Sequence, residues 1–193
     1  GINVMGFVFA GSSRVTITPG ALQSYSVLPA SKFAIVLDDA DVTIAGGAIE
    51  QSMAATNALL DVRGCKLTLD GVKLTGKGAG NGLMRAAVLA AGKEVVVRNG
   101  TVIEGFQGGI KPAGGAMVRV SSTTLAKNAS ALQADGGTFG ASATVMLDGV
   151  NMLDNWAGLY LTSPTKGQLS VSMNGGSIRG SLNNGVVIAT PVS

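Results

Sequence analysis

Aliphatic side chains recur along this chain as a triplet at relative positions 1, 3 and 8. The triplet occurs seven times in order: Val15/Ile17/Leu22, Val42/Ile44/Ile49, Leu67/Leu69/Leu74, Val95/Val97/Val102, Val118/Val120/Leu125, Val145/Leu147/Met152 and Val171/Met173/Ile178. Its middle residues are separated by 27, 25, 28, 23, 27 and 26 residues, a loose period that marks a repeat architecture with length changes absorbed in loops. Positions 1 and 3 have the two-residue period of a strand whose side chains share one face. Position 5 holds Pro19, Gly46, Gly71, Asn99, Ser122, Gly149 or Gly175, residues that bend the chain between two short strands.

A further strand recurs beside the triplet: GINV at 1, AIVL at 34, ALLDV at 58, AAVLA at 86, GIKP at 109, ALQA at 131, GLYL at 158 and GVVI at 185. Short strands and turns repeating without amphipathic helices predict an all-β fold, a single-stranded parallel β-helix (solenoid) of about seven coils with two or three strands each. The general hand of parallel crossovers makes it right-handed. At about 4.8 Å per coil the rod is on the order of 34 Å long.

Composition agrees with a narrow aliphatic interior turned at glycine: 29 Gly, 13% charged and 4% aromatic residues among 193. The unbroken repeat predicts one domain over 1–193, with no linker or composition break. Because GINV opens the chain and GVVIATPVS closes it, without a polar or helical cap, the expectation is a fragment of a longer solenoid or ends covered by a partner. GINVMGFVFAG lacks a basic leader, so no signal peptide is read there. No apolar run reaches 18 residues, so this segment is expected not to insert into a membrane.

Net charge is +3, and the 14 basic residues are dispersed without aromatic interleaving, which gives no nucleic-acid footprint. The single Cys65 rules out an internal disulfide and reads as a buried thiol. The Gly-rich stretch from Thr75 to Asn81 lacks a Gly-Lys-Ser/Thr ending and reads as a surface loop rather than a phosphate cradle. Further insertions fall at EQSMAATN, GGIKPAGGA, DGGTFGASA and TSPTKGQ, on what is expected to be one side of the rod. Phe7 and Phe9 belong to the core or to an end-covering segment.

Histidine is absent, which removes His-based triads and His metal sites, and one Cys supports no zinc site. Asp38, Asp39 and Asp41 cluster between strands. They are calcium-ligand or glycosidase candidates on one reading and turn-capping side chains on the other. Asp70 and Arg98 stand on adjacent rungs and are expected to pair at the surface. Asn128 and Asn155 share an offset in the repeat, which predicts a side-chain amide ladder at a coil corner. Trp156 and Tyr160 are a polar-tipped aromatic pair. Beside Asp154 and Asn155 they either stack on a sugar ring or pack locally at the corner. Calcium is the only cofactor considered; otherwise none is expected.

The rungs LTLDGVKLTG, VMLDGVNMLDN and VSMNGGSIRG resemble those of pectin-lyase-like right-handed parallel β-helices. Of the hydrolase motifs in that superfamily only Asp38-Asp39 has an echo here, and the lyase set, calcium-binding carboxylates with an Arg or Lys base on one outward face, is not assembled, because Asp61, Lys111 and Arg85 are scattered over different rungs. The closer resemblance is to pertactin-type autotransporter passengers, carried by Gly1-Ile2-Asn3-Val4 and Leu67-Thr68-Leu69-Asp70-Gly71. It implies a bacterial protein that is secreted or on the outer cell surface: a non-enzymatic adhesin or stalk binding a glycan, a host or cell-surface protein, or itself. The alternatives are a uronide lyase or glycoside hydrolase, and a phage tailspike segment.

Overall fold

The structure is a computed structural model that describes residues 2–4, 7–10, 14–17, 24–27, 33–39, 41–51, 58–78, 86–91, 93–134, 142–162 and 168–189. Three parallel sheets form a β-solenoid. The first sheet stacks β1 (Ile2–Val4), β4 (Ser24–Val27), β7 (Ala48–Gln51), β10 (Lys73–Thr75), β13 (Val102–Glu104), β16 (Thr124–Ala126), β19 (Asn151–Leu153) and β22 (Ser177–Arg179). The second stacks β2 (Phe7–Ala10), β5 (Phe33–Asp38), β8 (Ala58–Arg63), β11 (Ala86–Ala91), β14 (Gly108–Pro112), β17 (Ser130–Ala134), β20 (Ala157–Thr162) and β23 (Asn184–Ala189). The third stacks β3 (Arg14–Ile17), β6 (Asp41–Ala45), β9 (Lys66–Asp70), β12 (Glu94–Arg98), β15 (Met117–Ser121), β18 (Ala143–Asp148) and β21 (Leu169–Asn174). Each coil visits the sheets in that order, so a coil has three strands. Two sheets have eight rungs and one has seven, slightly more than the seven coils the triplets count.

Positions 1 and 3 of the triplet are the inward columns of the third sheet. Leu67, Leu69, Val95, Val97, Val118 and Val145 are fully enclosed. The bend column behaves as its residue types require: Gly46, Gly71, Asn99, Ser122, Gly149 and Gly175 all have φ between 46° and 68°, the left-handed region that costs a residue with a Cβ. Pro19 and Leu22 lie outside the described residues.

Two assignments in the repeat need correction. The inward residue of β13 is Ile103, which registers with Leu74 and Leu125 and is buried, whereas Val102 registers with Lys73 and Thr124. Between β12 and β13 the bend Asn99-Gly100-Thr101 carries one residue more than Gly71-Val72 between β9 and β10, which advances the following strand by one and turns Val102 outward. GINV, grouped with the second set of strands, supplies β1 of the first sheet instead; β2 takes its place, with Phe7 and Phe9 registered on Ile35 and Leu37. GIKP, expected as a strand of the second set, lies in β14.

The corner between the first and second sheets has its own column. Gly105, Lys127, Asp154 and Gly180 occupy equivalent places, with φ of 78°, 54°, 53° and 65°. Each is followed by a residue that turns into the rod: Phe106, Asn128, Asn155 and Ser181. The two asparagines form the expected ladder. Asn128 Oδ1 accepts the Phe106 amide at 2.9 Å and its Nδ2 donates to the Ile103 carbonyl at 3.1 Å. Asn155 Oδ1 accepts the Asn128 amide and its Nδ2 donates to the Leu125 carbonyl, both at 2.9 Å. Both side chains are buried, and each satisfies main-chain groups of the preceding coil that water does not reach.

Ser181 stands where the ladder's next amide belongs, and its buried Oγ makes no hydrogen bond. By the geometry of the two rungs before it, an amide at 181 reaches the Asn155 N–H and the Met152 carbonyl. Ser181→Asn is therefore expected to stabilise the protein by about 0.5–1.5 kcal/mol. For a chain of this size that is a rise of roughly 1–6 °C in melting temperature, read by differential scanning calorimetry.

Candidate functional site

Four of the chain's longer connections begin or end at strands of the second sheet. Residues 52–57 and 79–85 lead into β8 and β11, and 135–141 and 163–167 follow β17 and β20. Strand alternation gives this sheet an outward column in which Lys111, Gln133, Tyr160 and Val187 occupy successive rungs. Leu89 and Asp61 precede Lys111 in it. Asp61 and Lys111 are on different rungs, as expected, two coils apart in one column; Arg85 lies outside the described residues. Asp61 is only 2% exposed, and its carboxylate accepts the Arg63 Nε–H at 2.8 Å, so it is committed to an ion pair rather than presented to solvent.

At the corner that opens this sheet, Trp156 is 48% exposed. Its backbone is pinned on both sides: its amide donates to Asn128 O at 3.0 Å and its carbonyl accepts the Asn183 amide at 2.9 Å. A half-exposed indole thus sits on a main chain held by both neighbouring coils. Leu182 follows it one coil later and is 80% exposed; the sequence reading missed it, although its offset from Ile178 equals that of Trp156 from Met152. In β20, Leu159 is buried and Leu161 packs on the core while Tyr160 points outward, half-buried. Four residues of strand separate Trp156 from Tyr160, roughly 13 Å.

The other two members of the expected cluster behave differently. Asp154 is exposed and belongs to the outward corner, its carboxylate lying over Gly180. Asn155 is 0% exposed and both ends of its amide bind backbone. Its side chain faces the rod axis, because the left-handed residue before it reverses the alternation, and it is withdrawn from the ligand-facing group.

Asp38 ends β5 and Asp41 begins β6, with Asp39 between them at φ 54°. Asp41 Oδ1 accepts the Lys66 amide of the next coil at 3.2 Å, and the Asp39 amide donates to the Arg63 carbonyl at 3.1 Å. These contacts are those of a turn stapled to its neighbour. Among the described residues no three acidic, His or Cys side chains converge as a metal site would need.

The outer face of the third sheet carries charges in pairs. Arg98 binds Asp70 through Nη2 at 2.9 Å and Nε at 3.0 Å, and Asn99 donates to the same carboxylate at 2.7 Å. Glu94 lies between Lys66 at 2.7 Å and Arg119 at 3.1 Å. The amide of Asn99, then Arg98, holds Asp70 below the usual carboxylate range, and Lys66, then Arg119, does the same for Glu94. Carboxylates with depressed pKa values stabilise the fold above their ordinary values of 3.8 and 4.5. That contribution is lost as pH falls through the lower folded values. Since both pairs are solvent-exposed, the expected loss is less than about 1 kcal/mol each. An acid titration of thermal stability should show it, and Asp70→Asn should flatten the curve below pH ~4.

Cys65 is buried, with its thiol against the Leu37 carbonyl at 3.4 Å. No helix among the described residues is long and apolar enough to cross a membrane. In comparisons with known proteins, no family model, no curated protein and no solved structure matches this chain.

Proposed function

We propose that this chain is a non-enzymatic β-helix module of the adhesin or stalk type, secreted or displayed on the outer surface of a bacterium. It binds a glycan or a cell-surface protein through the outward face bounded by Trp156, Tyr160, Asp154 and Leu182. The pectin-lyase-like rungs, and the likeness of LTLDG to autotransporter passengers, support the placement. The observation that carries the binding function is the 48% exposure of Trp156 on a backbone fixed from both sides. A pre-exposed indole on a fixed main chain supplies contact area at little backbone ordering cost, the kind of anchor that Trp and Tyr provide in recognition.

Two findings favour binding over turnover. The carboxylate in the outward column, Asp61, is enclosed and paired with Arg63. Asp70 and Glu94 are held ionised by their partners, which suits a solvated ladder and not a proton donor. The test is a glycan and protein array probed with the wild-type chain and with Trp156→Ala. Substitution is expected to weaken any captured ligand at least about tenfold, roughly 1.4 kcal/mol or more. It should move the melting temperature little, because the bonds that hold position 156 are main-chain. Retention of full affinity by Trp156→Ala would move the binding face elsewhere, and an array without hits would reduce the module to a stalk.

A further inference from the structure

We propose that Met117 and Met146 form an oxidation site on the outer face of the third sheet, where a hydroperoxide converts their thioethers to sulfoxides and Arg119 holds the product oxygens. Among the described residues methionine stands at 117, 146, 152 and 173. Met152 and Met173 register on Leu125 and Leu147 in inward columns, the usual place for a side chain that fills gaps in a core. Met117 and Met146 point the other way. Met117 follows Lys66 and Glu94 in one outward column, and Met146 follows Thr68, Val96 and Arg119 in a second. β18 is laddered to β15 on one side and to β21 on the other. The 39% exposure of Met146 is therefore that of an outer sheet face with a coil on either side of it.

Arg119 organises the pair. Its Nη1–H donates to Met146 Sδ and its Nη2–H to Met117 Sδ, both at 3.1 Å, while its Nε–H donates to Glu94 Oε1 at 3.1 Å. Glu94 is in turn held by Lys66 at 2.7 Å, so the guanidinium is anchored on β12 and presents two N–H groups to two sulfurs. A thioether is a weak acceptor. Of the lone pairs on each sulfur Arg119 engages one, and the other is left to attack a hydroperoxide. In that step the S–O bond forms as the O–O bond breaks. The sulfur gives up two electrons, and the proton on the transferred oxygen passes to the departing one, which leaves as water or an alcohol. Rotation about the terminal bonds of the unbranched side chain brings the new oxygen onto the guanidinium in a charge-assisted bond, the stronger class of hydrogen bond. Oxidation disrupts a core methionine; here it adds a staple joining β12, β15 and β18.

Hydrogen peroxide treatment of the full chain, followed by peptide mass mapping and thermal unfolding, tests this against two variants, Met117→Leu/Met146→Leu and Arg119→Ala. Met146 is expected to gain oxygen first and Met117 after it, while Met152, fully enclosed, stays reduced in the folded protein. Oxidation of the remaining methionines is common to wild type and the leucine variant and cancels in their comparison. On treatment, wild type is expected to gain about 1–3 °C in melting temperature over that variant, and a methionine sulfoxide reductase should reverse the gain. In Arg119→Ala, Met146 still oxidises but the gain is absent, which a purely structural role for the arginine would not produce. The proposal is overturned if Met146 is no more reactive than Met152, if oxidised wild type gains nothing over the leucine variant, or if Arg119→Ala keeps the gain.

Discussion

Asn155→Ala is expected to destabilise the protein by up to about 5 kcal/mol and by at least about 2, since truncation leaves two buried main-chain groups, Asn128 N–H and Leu125 C=O, each without its partner at a cost of about 1–2.5 kcal/mol. Thermal unfolding should shift down by roughly 4 to 20 °C for a chain of this length. Asn128→Ala should cost a similar amount for the same reason, leaving Phe106 N–H and Ile103 C=O. Asn155→Asp separates hydrogen bonding from volume. The carboxylate can still accept the Asn128 amide but turns an acceptor on the Leu125 carbonyl, so it should be at least as damaging as alanine despite its matching shape. An aspartate variant as stable as wild type would remove the ladder as a stabilising device.

The second large effect belongs to a glycine that has no unusual backbone angle. At Gly76 an added Cβ would overlap the Gly105 carbonyl oxygen and come within 2.8 Å of its carbon and 2.9 Å of Phe106 Cδ1. The obstacle is main chain, fixed by the Gly78 N–H to Gly105 O bond at 2.8 Å and the Gly105 N–H to Ala126 O bond at 3.3 Å, and Phe106 is fully buried. Gly76→Ala must therefore wedge two coils apart, with an expected loss of at least about 1–3 kcal/mol. Gly64→Ala is the matched comparison: its Cβ meets nothing within 4 Å, but its φ is +59°. It should cost only the left-handed strain of about 1–2 kcal/mol. Chemical denaturation of both variants gives the ordering, and equal losses would show that coil spacing at Gly76 yields easily.

The bend column explains why so much of this fold is legible. A solenoid needs the same backbone conformation at the same place in every coil, so the residues that tolerate φ > 0 recur at Gly46, Gly71, Asn99, Ser122, Gly149 and Gly175. Inward positions likewise repeat because the interior has one width. Single-residue shifts at the corners escape this logic. Val102 and Ile103 are both β-branched and aliphatic, and only the extra residue in Asn99-Gly100-Thr101 decides which of them faces the axis. Ser181 escaped for a related reason, since Asn183 and Asn184 nearby carry the residue type of the ladder while Ser181 carries its position.

The site was partly legible. Trp156 and Tyr160 stand out by type in a chain with one Trp and two Tyr, and alternation within GLYL places Tyr160 outward. Asn155 is polar and adjacent to Trp156, yet Asp154 at φ 53° just before it reverses the alternation and turns its side chain inward. Burial of Asp61 was likewise hidden: alternation puts it outward, yet it is 2% exposed and paired with Arg63 of its own strand.

Because Trp156 is the sole tryptophan, intrinsic fluorescence titration against each ligand captured on the array, with the ligand's mass measured afterwards, tests the proposed function most directly. The predicted result is a saturable spectral shift with the ligand recovered intact. A flat signal for ligands that do bind would take Trp156 out of the binding face, and a ligand recovered cleaved would make the module an enzyme.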